Sequence, residues 1–202
     1  MQYSQGIYLE VEQKEVVKGI MDKYGRSNQL AVVLEEAGEL LSAFMDATRT
    51  VNQSELLDEI ADCYITMEHM QNIIGWHVSE DDIAHRMKKI SKLDWSDIIS
   101  VKYERDTCKM IGEAIQCFAR IARYIDDGDI PSSHIVKCQI HINNMLYVAA
   151  YLQGFLYIKD EWVKNRIASK IERMTMWLKE DVTFHNTTEV RDVRDSKEDI
   201  DV

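Results

Sequence analysis

Proline is nearly absent from this chain, with one residue in 202, and there are only eight glycines. A turn-rich β fold needs both residues at its corners, so their scarcity favours long helices. Positive charge is also short: 24 Lys and Arg stand against 35 Asp and Glu, a formal net charge of -11. Wrapping a nucleic-acid polymer needs a basic face, and that class of partner is excluded. A small phosphorylated substrate is not, because divalent cations bridge acidic protein to phosphate. No stretch approaches the roughly 18 consecutive apolar residues of a membrane span. The opening MQYSQGIYLEVEQKE lacks the basic head and apolar run of a secretory signal. Cys63, Cys108, Cys117 and Cys138 form no C-x-x-C pair and read as reduced, mostly buried thiols. These absences together predict a cytoplasmic protein with no membrane partner.

What is present is helical periodicity. Residues 9–24 predict a first amphipathic helix. Residues 27–48 place Leu30, Val33, Leu34, Leu41, Phe44 and Met45 along one broad apolar stripe. After a polar break, Asn52 with Glu55 forms a capping-box pattern for a third helix ending near Gly75, and Ser79 with Asp82 repeats it for a helix over 80–93. The expected fold is all-α, an antiparallel helical bundle.

The second half echoes the first. GEAIQCFARIARY (112–124) aligns with GELLSAFMDATRT (38–50), and CQIHINNMLYVAAYLQGF (138–155) aligns with EIADCYITMEHMQNIIGW (59–76). Two tandem repeats follow, over 1–95 and 96–181, each ending its second long helix at a glycine and an aromatic residue. Gly38 and Gly112 recur at one place, and since glycine inside a helix costs about 1 kcal/mol against alanine, close helix contact is the expected reason. Residues 182–202, rich in alternating charge and poor in apolar side chains, read as a disordered acidic tail.

Four acids carry the chemistry. Glu36 and Glu39 stand three apart on one predicted helix, with Glu35 beside them. Glu59 and Asp62 repeat that spacing on the next, with Asp58 beside them. Residues three apart share a helix face, so antiparallel packing sets the two pairs against each other. Their neighbours Leu34, Ala37, Leu40, Ile60, Ala61 and Tyr64 put the acids near a packed seam. Two carboxylates about 4 Å apart repel by roughly 4 kcal/mol at an effective dielectric near 20. A cluster of four therefore needs cations, and an all-oxygen ligand set suits Mg²⁺, or Mn²⁺, better than zinc. The ordinary alternative for acidic pairs on helices is a solvated face.

EEAGEL (35–40) followed by DEIAD (58–62) resembles the E-E-x-x-E and E-x-x-D signature of MazG-like nucleoside triphosphate pyrophosphohydrolases, relatives of the all-α dimeric dUTPases. The resemblance covers residues 27–95, including Gln29. It implies hydrolysis of a nucleoside triphosphate between its α and β phosphates, with Mg²⁺ held by Glu36, Glu39, Glu59 and Asp62. It further implies phosphate contacts from the helix AHRMKKISKLDW (84–95), through Arg86, Lys88, Lys89 and Lys92, and a homodimer. This chain lacks the asparagine usual in that helix. In the second repeat only Glu113 is retained, opposite Glu39, while Met110, Cys138 and His141 stand opposite Glu36, Glu59 and Asp62. That repeat is expected to hold no metal.

Other signals are weaker. His69, His77 and His85 fall eight apart, and no H-E-x-x-H, P-loop, G-x-G-x-x-G or G-x-S-x-G pattern occurs. Two rival readings remain: a di-iron carboxylate bundle, which needs Glu-x-x-His motifs that are absent here, and a catalytically silent helical module.

Overall fold

A computed structural model describes residues 7–50, 53–90, 101–125 and 128–180. Among them the chain forms α1 (Val11–Tyr24), α2 (Arg26–Thr50), α3 (Gln53–Ile74), α4 (Glu80–Ile90), α5 (Val101–Ala119), α6 (Ala122–Ile125), α7 (Ser132–Phe155) and α8 (Asp160–Lys179), and no strand. The fold is all-α, helices packed on helices. No described helix is long and apolar enough to cross a membrane.

The caps follow their local chemistry. Glu10 and Gln13 close a capping box at the start of α1. Ser79 and Asp82 exchange bonds at the start of α4: the Ser79 amide donates to Asp82 Oδ2, and the Asp82 amide donates to Ser79 Oγ, both at 3.2 Å. The pattern expected at Asn52 lies outside the described residues, as do Lys92 and the segment 182–202.

Helix α3 sits at the centre. Leu56, Ile60, Ala61, Cys63, Tyr64, Met67 and Met70 are all buried, so it is enclosed on nearly every side. It packs on α2, α7 and α8. Only two residues separate α2 from α3, and the two helices run antiparallel along their length. Helix α5 packs on α7 in the same way, and one buried cluster runs through both halves of the chain.

Two details depart from the repeat as expected. Gly75 ends α3 in the left-handed region, at φ 65, with the Trp76 amide bonded to the Gln71 carbonyl at 3.1 Å. In α7 the helix runs past Gly154, and it is Tyr157 that takes the positive φ, 56, with the Ile158 amide bonded to the Gln153 carbonyl at 2.9 Å. The same stop therefore falls three residues later than the alignment places it. A Cβ at Gly38 or Gly112 would meet nothing within 4 Å, so close helix contact is not the reason for either glycine. Gly19 does mark such a contact: a Cβ there would lie 3.1 Å from Leu178 Cδ1, where α1 crosses α8.

Gly38→Ala and Gly112→Ala should therefore each stabilise the chain by about 1 kcal/mol, by helix propensity without a clash. Gly19→Ala should stabilise it less than either, because the added methyl must displace the end of Leu178. Urea unfolding of the three variants checks the contrast, and destabilisation by Gly112→Ala would contradict the open space beside it.

Candidate metal centre

Helix geometry delivers each acid to one place. Glu36 lies between buried Val33 and buried Ala37 and Leu40, at the edge of the stripe that α2 presses on α3. Glu59 and Asp62 flank buried Ile60, Ala61 and Cys63 on α3. One carboxylate oxygen from each of Glu36, Glu59 and Asp62 lies within 4.8 Å of the other two, and all three side chains are half-buried. Glu39 is exposed and stands outside this trio, yet its charge acts on both Glu36 and Glu59. Glu35 is exposed as well.

Such crowding makes ionisation costly. Burial, then the charges of Asp62, Glu39 and Glu59, push the Glu36 carboxyl up to about 8. Burial, Asp62 and Glu39 push Glu59 up to about 7. Asp62 is raised by burial even though Lys170 pulls the other way. Glu59 Oε2 is buried and has no hydrogen-bond partner among the described residues. An orphaned buried carboxylate oxygen facing two further carboxylates suits a hard cation that takes several oxygen ligands. No histidine joins the group among the described residues.

Compensation comes from an element that local reading passed over. On α8, Arg166, Lys170 and Arg173 recur at i, i+4 and i+7, and so share one face. Lys170 Nζ donates to Asp62 Oδ2 in a very short contact. Arg166 Nε lies 2.6 Å from Asp58 Oδ1. Arg173 acts on Asp62 at longer range. A periodic basic stripe was visible in the sequence, but Lys170 is 108 positions from its partner. Nothing local says which acids the stripe meets.

The cations expected at the site lie elsewhere. Arg86 is buried over the Tyr8 ring, 5.7 Å from its centroid, and Lys88 and Lys89 are exposed. Arg86 and Lys89 line a cavity whose walls contain none of the four acids. Gln29 is buried two turns before Glu36 on α2. Two further polar groups of α3 are buried, Glu68, which the sequence reading did not single out, and His69, which it set aside. Glu68, raised by burial, is 3.9 Å from Lys14 and 3.6 Å from His77. The neighbouring imidazole of His69 is held down to about 4 by burial.

In the second repeat Glu113 is exposed beside Lys109, at 3.8 Å, and Cys138 is buried with its sulfur 3.5 Å from that of Cys117. His141 feels the Glu113 charge while burial lowers its pKa. Among the described residues, no second group of three acids forms there. Comparison with protein-family models, with curated proteins and with solved structures gave no match.

The raised carboxyls set a pH dependence. Above the ordinary value of 4.5 the unfolded chain releases protons that folded Glu36 and Glu59 retain. Their contribution to stability is thus complete below that value and is lost as the pH rises through about 7 and 8. Thermal unfolding in a chelator should give a Tm that falls between about pH 5 and 8, with a flatter profile for Glu36→Gln. A wild-type Tm that climbs across this interval would contradict the crowding.

Proposed function

We propose that this chain is a Mg²⁺-dependent nucleoside triphosphate pyrophosphohydrolase, converting a nucleoside or deoxynucleoside triphosphate to its monophosphate and pyrophosphate. The observation that carries the reading is the convergence of Glu36, Glu59 and Asp62, from two helices, within 4.8 Å. These are the positions at which the sequence resembles the MazG-like signature.

Glu36, Glu59 and Asp62, with Glu39 at the rim, would hold the divalent ion. When bound, that ion supplies charge neutralisation to the phosphates and to the pyrophosphate that leaves. The residues contribute the rest. Glu36 and Glu59 would release their retained protons on holding the ion, and the Glu36 carboxylate would then orient the attacking water or accept its proton. Glu59 would share in holding the ion and in orienting that water. Arg86 and Lys89 of α4 line a different cavity, so the negative charge of the phosphates is met in this reading by Lys170, Arg166 and Arg173 of α8. Lys170 exchanges its carboxylate partner for phosphate oxygen as substrate enters. The homodimer implied by the resemblance belongs to the same proposal, and exposed Val136 and Ile140 on α7 offer apolar surface for it.

The ion pair of Lys170 with Asp62 also favours a second reading, in which α8 permanently neutralises the acids and the chain is a silent helical module. A panel of nucleoside triphosphates with Mg²⁺, assayed for pyrophosphate, separates the two. The hydrolase should release pyrophosphate from at least one nucleotide. Glu59→Gln and Asp62→Asn should each lose at least about 10²-fold in kcat while keeping their helical content, and Lys170→Ala should lose about 10²-fold in kcat/KM. Full turnover by Asp62→Asn would remove the carboxylates from the chemistry.

A further inference from the structure

Arg86 presents a problem that the acidic centre does not solve. The side chain is 3% exposed, and its Nε, Nη1 and Nη2 find no acceptor among the described residues. A guanidinium has five donors and keeps its charge at any ordinary pH, so burying it without oxygen partners is strongly disfavoured. Its one described compensation is the face of Tyr8.

The group lines a cavity of about 480 Å³ between α4, α5 and α7. His85 and Lys89 add potential positive charge from α4, and Asn143 and Asn144 add amides from α7. Asn143 Oδ1 is itself buried and without a partner. The cavity also has two carboxylates. Asp82 accepts from Ser79 Oγ at 2.6 Å and lies beside the Asn143 amide, while Asp106 lies 4.0 Å from Arg105. Asp82 is within electrostatic reach of Arg86 but forms no ion pair with it. Tyr147, stacked on Tyr151 at 6.4 Å, supplies an apolar wall.

We infer that this cavity is a second ligand site, which takes the phosphate group of a small molecule on Arg86 and is independent of the divalent-cation centre. A planar fork of donors matches the tetrahedral oxyanion in a bidentate fashion. The volume suits a ligand of metabolite size. The open acceptor on Asn143 selects a phosphate whose body carries a nearby hydroxyl or amide donor. The inference stands apart from the proposed hydrolysis, since none of Glu36, Glu39, Glu59 and Asp62 lines this space.

Equilibrium dialysis of radiolabelled inorganic phosphate in excess chelator tests it, on the full chain and on Arg86→Met, Arg86→Lys and Glu59→Gln. Wild type and Glu59→Gln should bind phosphate saturably and alike. Arg86→Met should bind at least tenfold more weakly, and Arg86→Lys, which keeps the charge and loses the fork, should fall between them. A nucleoside monophosphate should displace the label, and the parent nucleoside should not. Phosphate should also raise the Tm of wild type, whereas Arg86→Met, freed of an unpaired buried charge, should start from a higher Tm and show no response. Undiminished binding by Arg86→Met, loss of binding in Glu59→Gln, displacement by the unphosphorylated nucleoside, or no saturation below roughly 10 mM phosphate would each overturn the site.

Discussion

The constraint on which this structure turns is the burial of three carboxylates at a helix seam. Left to themselves they would repel, and desolvation would add to the cost. The fold answers with a cation from the far end of the chain: Lys170 on α8 reaches Asp62, and Arg166 reaches Asp58 beside it. The pairing adds to the packing of α8, whose Val163, Ile167, Ile171 and Met174 are buried. Lys23 of α1 then secures the end of α8, donating to the Trp177 and Glu180 carbonyls at 2.7 and 2.5 Å, where a cation is favoured by the helix dipole.

Helix α3 lies between the acidic cluster and the buried guanidinium of Arg86. The buried thiol of Cys63, pushed up chiefly by burial, feels Asp62 and Glu36 as further upward pressure and Arg86 as relief. The negative cluster and the buried guanidinium thus flank the same enclosed stretch of helix. Cys63 Sγ also approaches the Met145 carbonyl at 3.8 Å, which ties that stretch to α7. The second half of the chain contributes one wall of the Arg86 cavity, through Asn143, Asn144 and Tyr147. Where it lacks acids, neutral packing takes over, as with Cys117 against Cys138.

Signals that depend on near neighbours were legible in the sequence. Ser79 and Asp82 cap α4 because the partners are three residues apart. Of the stripe expected on α2, Leu30, Val33 and Phe44 are buried and Leu34 and Leu41 partly so, while Met45 is exposed, because the face α2 presses on its neighbours runs through Ala37, Leu40 and Ala43 instead. The pairing of E-x-x-E with E-x-x-D predicted a meeting of acids across one short hairpin, and Glu36, Glu59 and Asp62 do meet. Glu39 was assigned on its spacing and on the family resemblance. Position three residues on can share a face yet project further toward solvent, and it is the exposed member of the four.

Spacing of apolar and acidic residues thus determined the helices, their hairpin order and the gathering of the acids, since all of these arise within a turn or across one short connection. Tertiary packing alone decided the rest. It carried α7 past Gly154 to Phe155, put the close helix approach at Gly19 and not at the repeated glycines, brought Lys170 across 108 positions to Asp62, and buried Arg86 over Tyr8 in a cavity that none of the four acids lines. Each of these depends on which distant element arrives opposite a given face. Burial and charge pairing are properties of two surfaces together, and a single stretch of sequence specifies only one of them.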